Sequence, residues 1–159
     1  MSAGRPGDRP ARARLLRSAV DLLSRRDFSR AELRARLLRL CRADEGEVAT
    51  EVECVLDAME AQGLLSEQRF IEGFVRTRAA RFGPARLRHE LLRRGIPEDR
   101  IDAALKLHQR DEYAAALTLW EKRFKSPPAD RREWARQARF LAARGFSHEV
   151  IRRILDSAR

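Results

Sequence analysis

Residues Phe82–Leu105 read FGPARLRHELLRRGIPEDRIDAAL, and Arg136–Leu155 read RQARFLAARGFSHEVIRRIL. Each stretch is an apolar-periodic run, then Arg-Gly with an apolar residue, then a second periodic run. In the first, Leu87 and Leu91 lie one helical turn apart, and Ile101, Ala104 and Leu105 resume the spacing beyond Gly95-Ile96. Spacing of three and four places apolar side chains on one stripe of a helix. A glycine just past the last periodic residue accepts the left-handed C′ conformation, and an apolar residue after it commonly seals the turn. Pro84 suits a first helical turn, where its missing N–H costs nothing. Glu98 and Asp99 suit the positive end of the following helix. The unit is therefore helix, glycine turn, helix.

Working outward, the same grammar fills the chain, and no segment alternates apolar and polar residues as a strand would. Leu15, Leu16, Ala19, Val20, Leu22 and Leu23 mark a first helix over about 11–25. Ser29-Arg30-Ala31-Glu32 is a capping box, opening a helix with Leu33 and Leu37 inward. Val48, Val52, Val55, Leu56 and Met59 mark a third, ended by Gly63 with Leu64 as its apolar partner. Ile71, Phe74, Val75 and Arg78 mark a fourth, before the two helices of the Phe82–Leu105 unit. Tyr113, Leu117, Trp120 and Phe124 mark a seventh, stopped by Ser126-Pro127-Pro128. Asp130 and Glu133 cap an eighth carrying Trp134, Ala138 and Leu141, and Ser147 caps a ninth with Val150, Ile151, Ile154 and Leu155. Gly63, Gly95 and Gly145 are all expected at positive φ.

FSRAELRARLL from Phe28 aligns with FGPARLRHELL from Phe82, so a degenerate third copy exists. The reading is an all-α fold: a basic flexible tail at 1–12, then three tandem three-helix repeats at 13–65, 66–109 and 110–159. One such unit cannot bury its apolar face alone, but neighbours in a stack can, giving an elongated array curved to the right or left.

The net charge is +10, and 31 of the 34 basic residues are arginine. Residues 1–42 hold 12 arginines against 4 acids, whereas 43–68 hold 8 acids and no base. Such a balance suits a polyanion or an acidic protein surface. The densest basic stretch comprises Arg76, Arg78, Arg81, Arg86, Arg88, Arg93 and Arg94, the candidate site for protein or DNA. Arginine forks onto phosphate or carboxylate equally well. A solvated helix face is the plainer account of any one of these residues. The helix–RRGI–helix junction invites comparison with DNA-reading helix pairs, but the second helix opens Glu98-Asp99, which phosphates would repel.

No enzyme is legible. His89, His108 and His148 lack metal-ligand spacing, Cys41 and Cys54 form no C-x-x-C, and no phosphate loop or nucleophile elbow is present. No metal and no cofactor is expected. The opening residues lack the apolar core of a signal peptide, and no run approaches the ~20 residues of a membrane span, so a cytoplasmic, non-membrane protein is expected, read as a monomer.

Phe70, Phe74 and Arg78, followed by FGPARLRHELLRRGI, Ile101 and Leu105, resemble the central signature of the RecX family. RFLAARGFSHEVIRRIL is similar to its third-repeat signature, and RAELRARLLR to the matching piece of the first. The resemblance covers roughly residues 15–158, with Glu67 where the family commonly has Asp. It implies a non-enzymatic modulator that binds the RecA recombinase or the RecA–DNA filament and inhibits its ATPase, strand-exchange and coprotease activities. Weak direct binding to single- or double-stranded DNA is compatible with the charge. The alternative reading is a non-specific nucleic-acid-binding helical protein. The quoted signature residues are mostly apolar or glycine and define the fold, so the arginine candidates rest on charge density alone.

Overall fold

The computed structural model describes residues 8–41, 45–108 and 112–157, and every regular element among them is an α-helix. The helices are α1 (Asp8–Arg25), α2 (Arg30–Leu40), α3 (Glu45–Ala61), α4 (Glu67–Arg78), α5 (Pro84–Leu92), α6 (Glu98–His108), α7 (Glu112–Arg123), α8 (Arg131–Ala142) and α9 (His148–Ser157). They form two compact units that divide between Phe70 and Ile71. Helix α1 starts at Asp8, inside the stretch expected to be a tail.

In the first unit α1, α2 and α3 close around Leu15, Ala19, Leu33, Leu37, Val52, Val55, Leu56 and Met59, all buried. Ser29 caps α2 as its capping box predicts, accepting from Glu32 N at 3.1 Å. An ion-pair ladder covers this core. Arg30 donates to Glu53 at 2.7 Å and Asp57 at 2.8 Å and pairs with Glu60 at 2.8 Å, while Arg34 donates to Glu53 at 2.6 Å. Carboxylates three and four apart share one face of α3, so a single α2 arginine reaches three of them. Burial opposes the Arg30 charge, but the hydrogen bonds it donates to these carboxylates outweigh that and raise its pKa. Bonds from Arg30 and then Arg34 hold the Glu53 carboxyl below its ordinary range.

All three glycines lie in the left-handed region, at φ 69° for Gly63, 76° for Gly95 and 82° for Gly145. Each turn makes the same two bonds. Gly63 N–H donates to Glu60 O and Leu64 N–H to Met59 O, and the pattern recurs from Gly95 and Ile96 and from Gly145 and Phe146. Ile96 and Phe146 are buried as expected, but Leu64 is 40% exposed and Leu65, at 3%, takes the core position. Arg69 explains the exchange: its guanidinium donates to Gly63 O and Leu64 O, both at 2.9 Å, and holds that turn at the surface.

In the second unit the N-terminus of α5 docks on the α8–α9 turn. Gly83 N–H donates to Arg144 O at 2.8 Å and Ala85 N–H to Gly145 O at 3.1 Å. A methyl group on Gly83 would lie 2.3 Å from Gly145 O, and one on Gly145 would lie 2.4 Å from Arg86 N. Both glycines therefore serve a close backbone contact between the second and third helix triplets. The last core gathers Ala116, Trp120, Ala138, Leu141, Phe146, Ile151, Ile154 and Leu155 around Gln137, whose Oε1 accepts from Trp120 Nε1 at 2.7 Å.

Candidate partner-binding surface

The seven candidate arginines all lie between the second half of α4 and the turn after α5, but they do different things. Glu90 is shared: Arg78 approaches it at 3.7 Å and Arg86 at 3.3 Å, which ties α4 to α5. The same two guanidinium groups lie over aromatic rings, Arg78 at 4.2 Å from the Phe74 centroid and Arg86 at 4.0 Å from that of Phe82. Arg88 pairs with Asp102, tying α5 to α6. Arg94 also lies over the Phe74 ring, 5.0 Å from its centroid. Arg78, Arg88 and Arg94 thus hold neighbouring helices together, whereas Arg86 is engaged within α5 and on Phe82 just before it.

Arg76, Arg81 and Arg93 are exposed and make no ion pair with any described residue. Their charges are the ones this stretch offers outward. Arg76 also borders a largely apolar cleft of about 490 Å³ lined by Phe82, Pro84, Leu87, Leu105 and Phe146. Of the seven arginines, Arg76 is the one that lines this cleft, whose rim also carries Glu112.

A second group of cations lies outside the stretch that charge density along the chain selects. Arg123, Lys125, Arg136 and Arg139 line a separate cleft of about 440 Å³ between the end of α7 and α8. The signal was present in the sequence as Arg132, Arg136 and Arg139 at helical spacing, facing a basic stretch before Pro127-Pro128. Only the fold across that proline pair brings the two together.

His89 and His148 are exposed, and Cys41 and Cys54 are free and half-buried. Among the described residues, no group of three or more His, Cys, Asp or Glu side chains is placed to hold a metal ion, and no helix is long and apolar enough to cross a membrane.

Comparison with known proteins places the fold. The model of the second three-helix domain of RecX matches residues 66–105, and that of the third matches 109–155. Regulatory protein RecX of Leptothrix cholodnii is 46% identical over 140 residues, covering 88% of this chain and 86% of that one. Regulatory protein RecX of Ralstonia nicotianae is 44% identical over 140 residues, covering 88% and 85%. The crystal structure of RecX from Lactobacillus salivarius superposes with a TM-score of 0.80 at 21% identity, covering 94% of this chain and 97% of that one. With two family domains in tandem and identity above 40% over most of its length, the chain belongs to the RecX family.

Proposed function

We propose that this protein is a cytoplasmic, non-enzymatic regulator that binds the RecA recombinase, or its filament on DNA, and inhibits ATP hydrolysis, strand exchange and coprotease activity. The observation that carries the reading is the family membership, at 46% identity over 88% of the chain. The exposed charges of Arg76, Arg81 and Arg93 support it, because a filament of protein on DNA presents both carboxylates and phosphates. Three helix triplets, at 13–65, 66–109 and 110–159, give several contacts on one chain. Weak contacts linked in this way gain from effective concentration. The protein acts as a monomer in this reading.

The test is RecA ATP turnover on single-stranded DNA as the protein is added up to equimolar amounts, with DNA affinity measured separately by salt titration with and without RecA. Slowed turnover, with the protein itself hydrolysing no ATP, supports the proposal. Unchanged turnover together with equal DNA affinity in the absence of RecA would replace it with plain nucleic-acid binding.

A further inference from the structure

The cleft between α7 and α8 has the features of a built anion site. Phe124 and Phe140 meet edge to face, with centroids 5.2 Å apart and planes at 86°. Around that pair stand guanidinium groups: Arg123 and Arg136 each lie 5.6 Å from the Phe124 centroid, and Arg144 lies 3.7 Å from that of Phe140. A guanidinium resting on a ring loses less freedom when it binds an oxyanion than one free in solvent. Lys125 and Arg139 complete the rim, both exposed and without an ion-pair partner among the described residues.

The one acid in the lining, Glu133, is already engaged. It accepts from Ala129 N at 3.0 Å as part of the α8 cap and lies 3.8 Å from Arg136. The floor is polar and fixed. Gln137 is 2% exposed, and the bond its Oε1 accepts from Trp120 turns its Nε2 toward Ser126 O at 3.4 Å. Four cations against one occupied acid, around a single hollow, repel one another until an anion enters.

We infer that this cleft binds the sugar-phosphate backbone of a single nucleic-acid strand, with a base resting against Phe124 or Phe140. An acidic peptide would satisfy the cations equally well. The half-exposed rings decide between them, since a base has a π-face to stack there and a carboxylate side chain has none. A single strand fits better than a duplex, whose bases are already stacked. The site is separate from the cleft that Arg76 lines and does not depend on RecA binding.

The experiment is an anisotropy titration of the full chain with a labelled oligothymidine, without RecA. In the cleft variant, Arg123→Gln, Lys125→Gln and Arg139→Gln are combined. In a control, Arg100→Gln, Lys106→Gln and Arg152→Gln remove the same charge from α6 and α9. Loss of three phosphate contacts lowers the slope of log affinity against log salt by about 2, and we expect at least a ~10-fold weaker Kd for the cleft variant. The control should change Kd less than ~3-fold, as dispersed charge would. An abasic strand of equal length should bind several-fold more weakly than the oligothymidine. Equal losses in both variants, or no loss in the cleft variant, overturn the site. Equal affinity for polyglutamate overturns the choice of ligand, and equal affinity for the abasic strand overturns the role of the rings. Matching thermal melts for the three proteins show that the fold is held constant.

Discussion

The turns at Gly63 and Gly145 share a conformation and differ in what surrounds them. Both are left-handed, at φ 69° and 82°, and both close with the same pair of backbone bonds. A methyl group on Gly63 would meet nothing within 4 Å, whereas one on Gly145 would collide with the backbone and Cβ of Arg86. Gly63 is therefore a conformational requirement only. Gly145 is that and a contact surface, the point where α5 seats on the third triplet. Local helix-stop rules describe the first kind of glycine fully and the second by half.

That difference can be broken most sharply by Gly145→Ala. The left-handed strain of about 1–2 kcal/mol adds to the displacement of α5, and we expect a total loss of at least ~3 kcal/mol in urea denaturation. Gly83→Ala attacks the same contact from the other side, with ordinary backbone at φ −76°, so its loss isolates the collision from the strain. A mild effect of Gly83→Ala would show that α5 yields and that the contact is loose.

The first unit is held over its surface in another way, and Arg30→Ala tests it. Three partly exposed ion pairs at up to ~1 kcal/mol each give an expected loss of about 1–2 kcal/mol, diminished by added salt. The sign with pH follows from Glu53. Its folded pKa is depressed, so its contribution is present above its ordinary value of 4.5 and is lost as pH falls through the folded pKa. Wild type should therefore lose more stability than Arg30→Ala on acidification below that value. Parallel curves would mean that the ladder contributes nothing. Gly63→Ala comes next, at about 1 kcal/mol, from strain with no collision.

Much of this fold could be read from residues near one another in the chain. The helix stops, the Ser29, Asp130 and Ser147 caps and the stripe of Leu33, Leu37, Leu87, Leu91, Leu141 and Ile151 are local or periodic signals, and all hold. What escaped depends on distant partners. Gln137 reads as a surface residue, yet it is buried because Trp120, on another helix, needs an acceptor. Leu117 is half-exposed where its neighbour Ala116 is fully buried in the last core, so the inward face of α7 is set by what packs against it. The candidate site was legible as a charge density, but not as a division of labour. The Arg86–Glu90 pair is a local i,i+4 signal, but nothing local shows that Glu90 also takes Arg78 and Asp102 takes Arg88 while Arg81 and Arg93 stay outward.

The smallest expected stability effect accompanies the largest functional one. Arg81→Glu with Arg93→Glu removes exposed, unpaired cations, so the denaturation midpoint should move by no more than ~0.5 kcal/mol equivalent. The decisive measurement is RecA ATP turnover on single-stranded DNA against concentration of wild type and of this variant. The account predicts that wild type slows turnover at or below equimolar ratio and that the variant, equally folded, needs several-fold more protein. Turnover that wild type leaves unchanged at equimolar ratio would contradict it.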